Sequence, residues 1–138
     1  MVDTYVRKMI FHGAAVMWLG LMAGFPFGFV IMGRMEGDLR AWHMAHMEGI
    51  LNGLLVFGAA AVVKQLSIDE RRMPLYAWSF IVTAWTNIVG SLVAALVHQR
   101  GLELALPLSN FVVFSIFVVG VLAALLGLYL MMRGASAE

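Results

Sequence analysis

Between Ala41 and Gly53 the chain reads AWHMAHMEGILNG: two histidines, a glutamate and an asparagine opening an otherwise apolar run. Successive residues on an α-helix turn by about 100°, so His46, Gly49, Gly53 and Phe57 share one face. Imidazole is a common axial ligand of haem iron. Two glycines, one and two turns beyond a histidine, would leave a bare strip of backbone along which a porphyrin could lie. The same spacing also suits a GxxxG contact, with Gly49 and Gly53 against another helix and His46 as an interfacial side chain. A third option is copper, because His43, Met44, His46 and Met47 combine imidazoles with thioethers. Methionine is abundant here, 11 in all, and is also an adaptable packing residue.

Glu48 and Asn52 share a different face of the same helix, with Asn52 about 120° round from His46. One helix therefore cannot aim both His46 and Asn52 at one cofactor. A site using both lies between subunits or takes part of its lining from another helix. Asn52 alone also fits an interhelical hydrogen bond, a frequent fate of buried amides in membranes. A later apolar run carries Trp85, Thr86, Asn87 and Ser91. Counted from Ala41, Asn52 lies about 16 Å deep; counted back from His98, Asn87 lies at a similar level and Ser91 nearer that of His46. The two amides either bind each other or line a cavity.

His98 falls at the membrane edge and reads as a wet interfacial residue. If it reached an iron held by His46, or if His43 did, the centre would be six-coordinate and suited to electron transfer or sensing. His12 reads as lying toward the opposite end. Gly20, Gly24 and Gly28 form a four-residue ladder that lets helices approach closely, within the bundle or between subunits.

The elements that must position these groups are membrane helices. The chain has 138 residues, 62% of them hydrophobic and 12% charged, with a mean hydropathy of +0.91, which points to a bilayer as its solvent. Its net charge of +1 gives no reason to expect nucleic acid, and the absence of cysteine excludes disulfides and thiol chemistry. About 20 apolar residues cross a bilayer. Four runs qualify, predicting helices over about 9–33, 41–63, 74–98 and 106–132 in a single domain spanning 1–138. The first run is too long for the core of a signal peptide and is kept as structure. Pro74 and Pro107 fall near helix starts, where a missing N–H does no harm; Pro26 lies inside the first helix and should kink it. Arg7, Lys8, Lys64, Arg71, Arg72 and Arg133 lie on one side of this arrangement, and only Arg34, Arg40 and Arg100 on the other. Basic loops stay in the cytoplasm, so both termini are expected there, in the inner membrane.

RKMIFHG at Arg7–Gly13, AWHMAHMEGILNG, and AWTNIVGSLVAALVHQRGL at Ala84–Leu102 resemble, in order, three blocks of the styrene oxide isomerase family. Those are an RKM-x-x-HG start, a W-x-x-A-H followed by LNG, and a W-[ST]-N leading to RGL. The resemblance implies an all-α, four-helix membrane bundle, a homotrimer with haem b at subunit interfaces. It implies isomerisation of a hydrophobic epoxide to an aldehyde or ketone, with ferric iron as Lewis acid and a 1,2-hydride shift. The haem-ligating histidine falls on His46 and the pocket asparagine on Asn52. The family's pocket tyrosine falls on Ser91, Glu48 stands where the family has a small residue, and Thr83 replaces an aspartate. Gly49, Gly53, Trp85 and Asn87 are the further residues expected around the haem, with Arg100 at the right edge to meet a propionate. A non-enzymatic haem protein and a copper-handling membrane protein are the alternatives.

Overall fold

A computed structural model describes residues 2–136. Four helices follow one another, α1 (Val2–Ile31), α2 (Leu39–Val62), α3 (Met73–Val97) and α4 (Leu108–Ala135), with a single 3₁₀ turn (Val63–Gln65) after α2. Among the described residues there is no strand. All four helices are long and apolar enough to cross a membrane, as the composition demanded. The chain is a multi-pass membrane protein.

The helix ends depart from the sequence reading where charge was taken for a break. α1 begins at Val2 rather than Met9. Charged residues end a membrane span but not a helix: Asp3 sits in the first turn, where a negative charge complements the helix dipole. Asp3 also meets the Lys64 ammonium at 2.8 Å. The helix runs through Pro26 without a break. α2 begins at Leu39 because the Asp38 carboxylate caps it, accepting from the N–H groups of Arg40 (2.9 Å) and Ala41 (3.4 Å). α3 carries its proline in the first turn and closes on His98 in the left-handed conformation (φ 55°).

The Asp3–Lys64 pair and a bond from the Ser67 N–H to the Gly134 carbonyl (2.9 Å) gather both ends and the α2–α3 connection at one face. The α1–α2 and α3–α4 connections lie at the other. Within the bundle α1, α2 and α3 pack against one another, while α4 leans almost wholly on α3. Met9, Val16, Val56, Phe80 and Ile88 form the centre of the core with Tyr76, whose hydroxyl donates to the Ala59 carbonyl at 2.9 Å. Large apolar side chains such as Phe11, Trp18, Phe25, Leu122 and Leu125 stay exposed, as lipid-facing surfaces require.

The α3–α4 connection is held from within. Asn110, buried at the start of α4, accepts from the Gly101 N–H (3.0 Å) and donates to the carbonyls of Glu103 (2.9 Å) and Ala105 (3.1 Å). Gly101 has φ +61°, and a Cβ there would stand 2.9 Å from the Phe114 nitrogen, so both conformation and space require glycine. Asn110→Ala removes all three bonds and leaves the buried Gly101 N–H unpaired. We expect it to cost about 1–3 kcal/mol, read as a lowered melting temperature in detergent; a wild-type melt would disprove this role.

Candidate functional site

His46 projects from α2 toward α1, and its Nδ1 lies 2.8 Å from the Gly20 carbonyl oxygen. A carbonyl can only accept, so Nδ1 carries a proton toward it, and in the neutral imidazole that tautomer leaves the lone pair on Nε2. The ring fits because α1 is bare there: a Cβ on Gly24 would stand 3.0 Å from Nδ1. Phe27 lies nearly parallel to the His46 ring (20°, centroids 6.1 Å apart) and tilts against His43 at 5.1 Å. His46 remains half-buried, and His43 is exposed.

Gly49 and Gly53 lie against α1, which favours the helix-contact reading of their spacing over the open strip. A Cβ on Gly20 would stand 2.6 Å from the Gly49 Cα, and one on Gly53 would stand 2.8 Å from the Gly13 oxygen and from the Met17 Cβ. Both glycines are buried in the α1–α2 crossing, the GxxxG use of the same pattern. The ladder on α1 divides in the same way: Gly20 meets Gly49, Gly24 meets His46, and Gly28 has nothing near it within the chain.

Asn52 turns to the other side of α2, as its angle from His46 required, and meets α3. Its Oδ1 accepts from Asn87 Nδ2 at 3.0 Å, so the two amides at one depth bind each other. Its Nδ2 lies 2.9 Å from the Glu48 backbone oxygen and 2.6 Å from Glu48 Oε2. This gives Glu48 the partner that sequence reasoning did not find, although four-residue spacing on one helix was the available signal. The amide holds a carboxylate that would otherwise stand alone in an apolar span.

His12, read as lying toward the cytoplasmic end, is ten residues into a helix that starts earlier than expected, about 15 Å along it. Its Nδ1 accepts from the Trp85 Nε1–H at 3.1 Å, and its ring also contacts Phe11 and Trp78. Trp85 thus spends its one donor on α1. This pairing was missed because the start of α1 was.

Ser91 and Arg100 come together at the face away from the termini. Both line a cavity of about 140 Å³, with Arg40 and Met44 from the α2 side and Phe117 from α4. Ser91 is 3% exposed, and its hydroxyl has no hydrogen-bond partner. Arg100 is exposed, and so is His98. Met44 therefore faces α3 while His43 and His46 flank Phe27, which sets Met44 apart from the two imidazoles. Among the described residues no three His, Asp or Glu side chains gather in a metal-holding group.

The fold and these groups define a four-helix membrane protein with a tautomer-fixed histidine and a buried amide–carboxylate network. The chain matches the styrene oxide isomerase family over residues 5–136, nearly its whole length, and belongs to that family. A search of curated proteins finds no match.

Proposed function

We propose that the protein is a haem b-dependent isomerase that converts a hydrophobic epoxide to an aldehyde or ketone within the bilayer. Family membership supports the reaction class. The single observation that carries the cofactor is the His46–Gly20 bond. A histidine that ligates a metal through one nitrogen characteristically donates its other N–H to a carbonyl or carboxylate, which fixes tautomer and ring direction. His46 has that arrangement, and one axial imidazole is all that haem asks of a chain. When bound, ferric haem supplies a Lewis acid for the epoxide oxygen, and a 1,2-hydride shift completes an isomerisation with no net oxidation.

The chain's own residues have distinct tasks. His46 holds the iron, with Gly20 and Gly24 setting its ring. Asn87 and Glu48 fix the plane of the Asn52 amide, and Asn52 orients the substrate oxygen by releasing one of its two N–H bonds to Glu48. Arg100, at the membrane edge, meets a haem propionate. His46 and Asn52 leave α2 in different directions, so they share one site only across a subunit contact, for which we propose a homotrimer. The excess of Lys and Arg at the terminal face supports cytoplasmic termini in the inner membrane.

The test is direct. Purified after expression with haem supplied, the protein should show a Soret band and convert styrene oxide or a related epoxide to its carbonyl isomer. No Soret band rejects the cofactor. A low-spin, six-coordinate ferric spectrum without turnover on several epoxides rejects the isomerase in favour of electron transfer.

A further inference from the structure

Glu48 lies about 14 Å along α2 from Leu39, inside the span. Acidic side chains at such depths ordinarily pair with another ionisable group. Among the described residues no Lys, Arg or His stands within ion-pair distance of this carboxyl. Its Oε2 takes the Asn52 N–H at 2.6 Å, and its Oε1 takes no hydrogen bond. The side chain is half-buried rather than sealed, so that oxygen is open to a molecule arriving beside α2. Asn52 has nothing to spare. Only 6% exposed, it accepts from Asn87, gives one N–H to Glu48 Oε2 and directs the same amide at the Glu48 carbonyl.

An epoxide oxygen can only accept. By taking an Asn52 N–H it withdraws a donor that now serves Glu48, and it returns none. A hydroxyl on the carbon beside the epoxide ring removes that cost, because it donates to the carboxyl while the ring oxygen accepts from the amide. We infer that this site takes an otherwise apolar epoxide bearing a hydroxyl next to its ring, an epoxy alcohol, and that Glu48 selects it by accepting from that hydroxyl. The amide N–H and the carboxyl oxygen, 2.6 Å apart, form a donor–acceptor pair that matches the acceptor–donor pair of such a molecule. The donor has to be uncharged, since an ion would be costly to bring through the bilayer to this depth. The inference rests on the proposal that Asn52 orients the substrate oxygen, and it does not depend on haem.

The experiment uses the full chain in detergent and two probes on one frame: phenylglycidol, and β-methylstyrene oxide, in which a methyl replaces the hydroxymethyl. Binding is followed as saturable shifts of the Asn52 and Asn87 side-chain amide signals, which partitioning into micelles alone does not produce. Wild type should bind phenylglycidol more tightly than β-methylstyrene oxide. Glu48→Leu, an apolar change that a membrane helix should accommodate, should cut that preference about tenfold, the loss of one hydrogen bond. Glu48→Gln, whose amide oxygen still accepts, should restore part of it. Comparing the ratio of the two probes across variants cancels their different affinities for the micelle. If Glu48→Leu keeps the wild-type ratio, the inference is overturned and the role of Asn52 stands. If neither probe gives saturable shifts, both fall. A Glu48-dependent preference in a protein that isomerises no epoxide keeps the site and rejects the proposed reaction.

Discussion

Gly49→Leu should yield no monodisperse folded protein, and Gly49→Ala should lower stability by more than about 3 kcal/mol, beyond the usual 1–3 kcal/mol for overpacking a core. The reason is what the new atoms meet. A Cβ on Gly49 would collide with the Gly20 Cα and stand 2.6 Å from its nitrogen, with Ile88 Cδ1 at 3.1 Å behind. Two of these are backbone atoms, which cannot rotate away, so α1 and α2 must part. Parting them also withdraws the Gly20 carbonyl from His46, so haem content should fall along with the melting temperature. Gly58→Ala is the matched control: nothing lies within 4 Å of that position. There the better helix propensity of alanine should leave stability unchanged or raise it by up to about 1 kcal/mol. If Gly49→Ala melts like wild type, the crossing is not as close as described.

The second large effect is chemical. His46→Ala should abolish the Soret band while leaving the helical circular dichroism intact. Losing an outer partner of a metal ligand typically weakens binding 10–100-fold, and losing the ligand itself should exceed that. The fold should tolerate the change because the Gly20 carbonyl lies within α1 and keeps its helical partner, and because His46 is only half-buried. Gly24→Leu should act similarly from the opposite helix, since its side chain would fill the space of the imidazole. If His46→Ala retains full haem content, the ligand has been misassigned.

What could be read from the sequence divides along a physical line. Apolar runs of sufficient length gave four helices, because the bilayer admits little else. Depth counting placed Asn52 level with Asn87, and they are hydrogen-bonded. Angle counting separated Asn52 from His46, and they face different helices. Helical spacing says which residues share a face but not what that face meets, so Gly49 and Gly53 looked as ready for a porphyrin as for a helix. Charge misled at the other end. Asp3, Arg7 and Lys8 read as a tail, which set His12 too shallow and hid Trp85 as its partner. The Gly20 carbonyl that fixes the His46 tautomer is a backbone group of a helix 26 residues away in sequence, and side-chain pattern carries no trace of it.

Because α4 leans almost wholly on α3, its absence would leave the first three helices with most of their mutual contacts. All the groups around His46, the Glu48–Asn52–Asn87 network and the His12–Trp85 pair belong to α1, α2 and α3. A nascent chain can therefore complete these arrangements while its last segment is still emerging into the membrane. Only afterwards does α4 bring Asn110 to the α3–α4 connection and Phe117 to the cavity beside Ser91. The order of synthesis thus builds the histidine's seat first and closes the neighbouring chamber last.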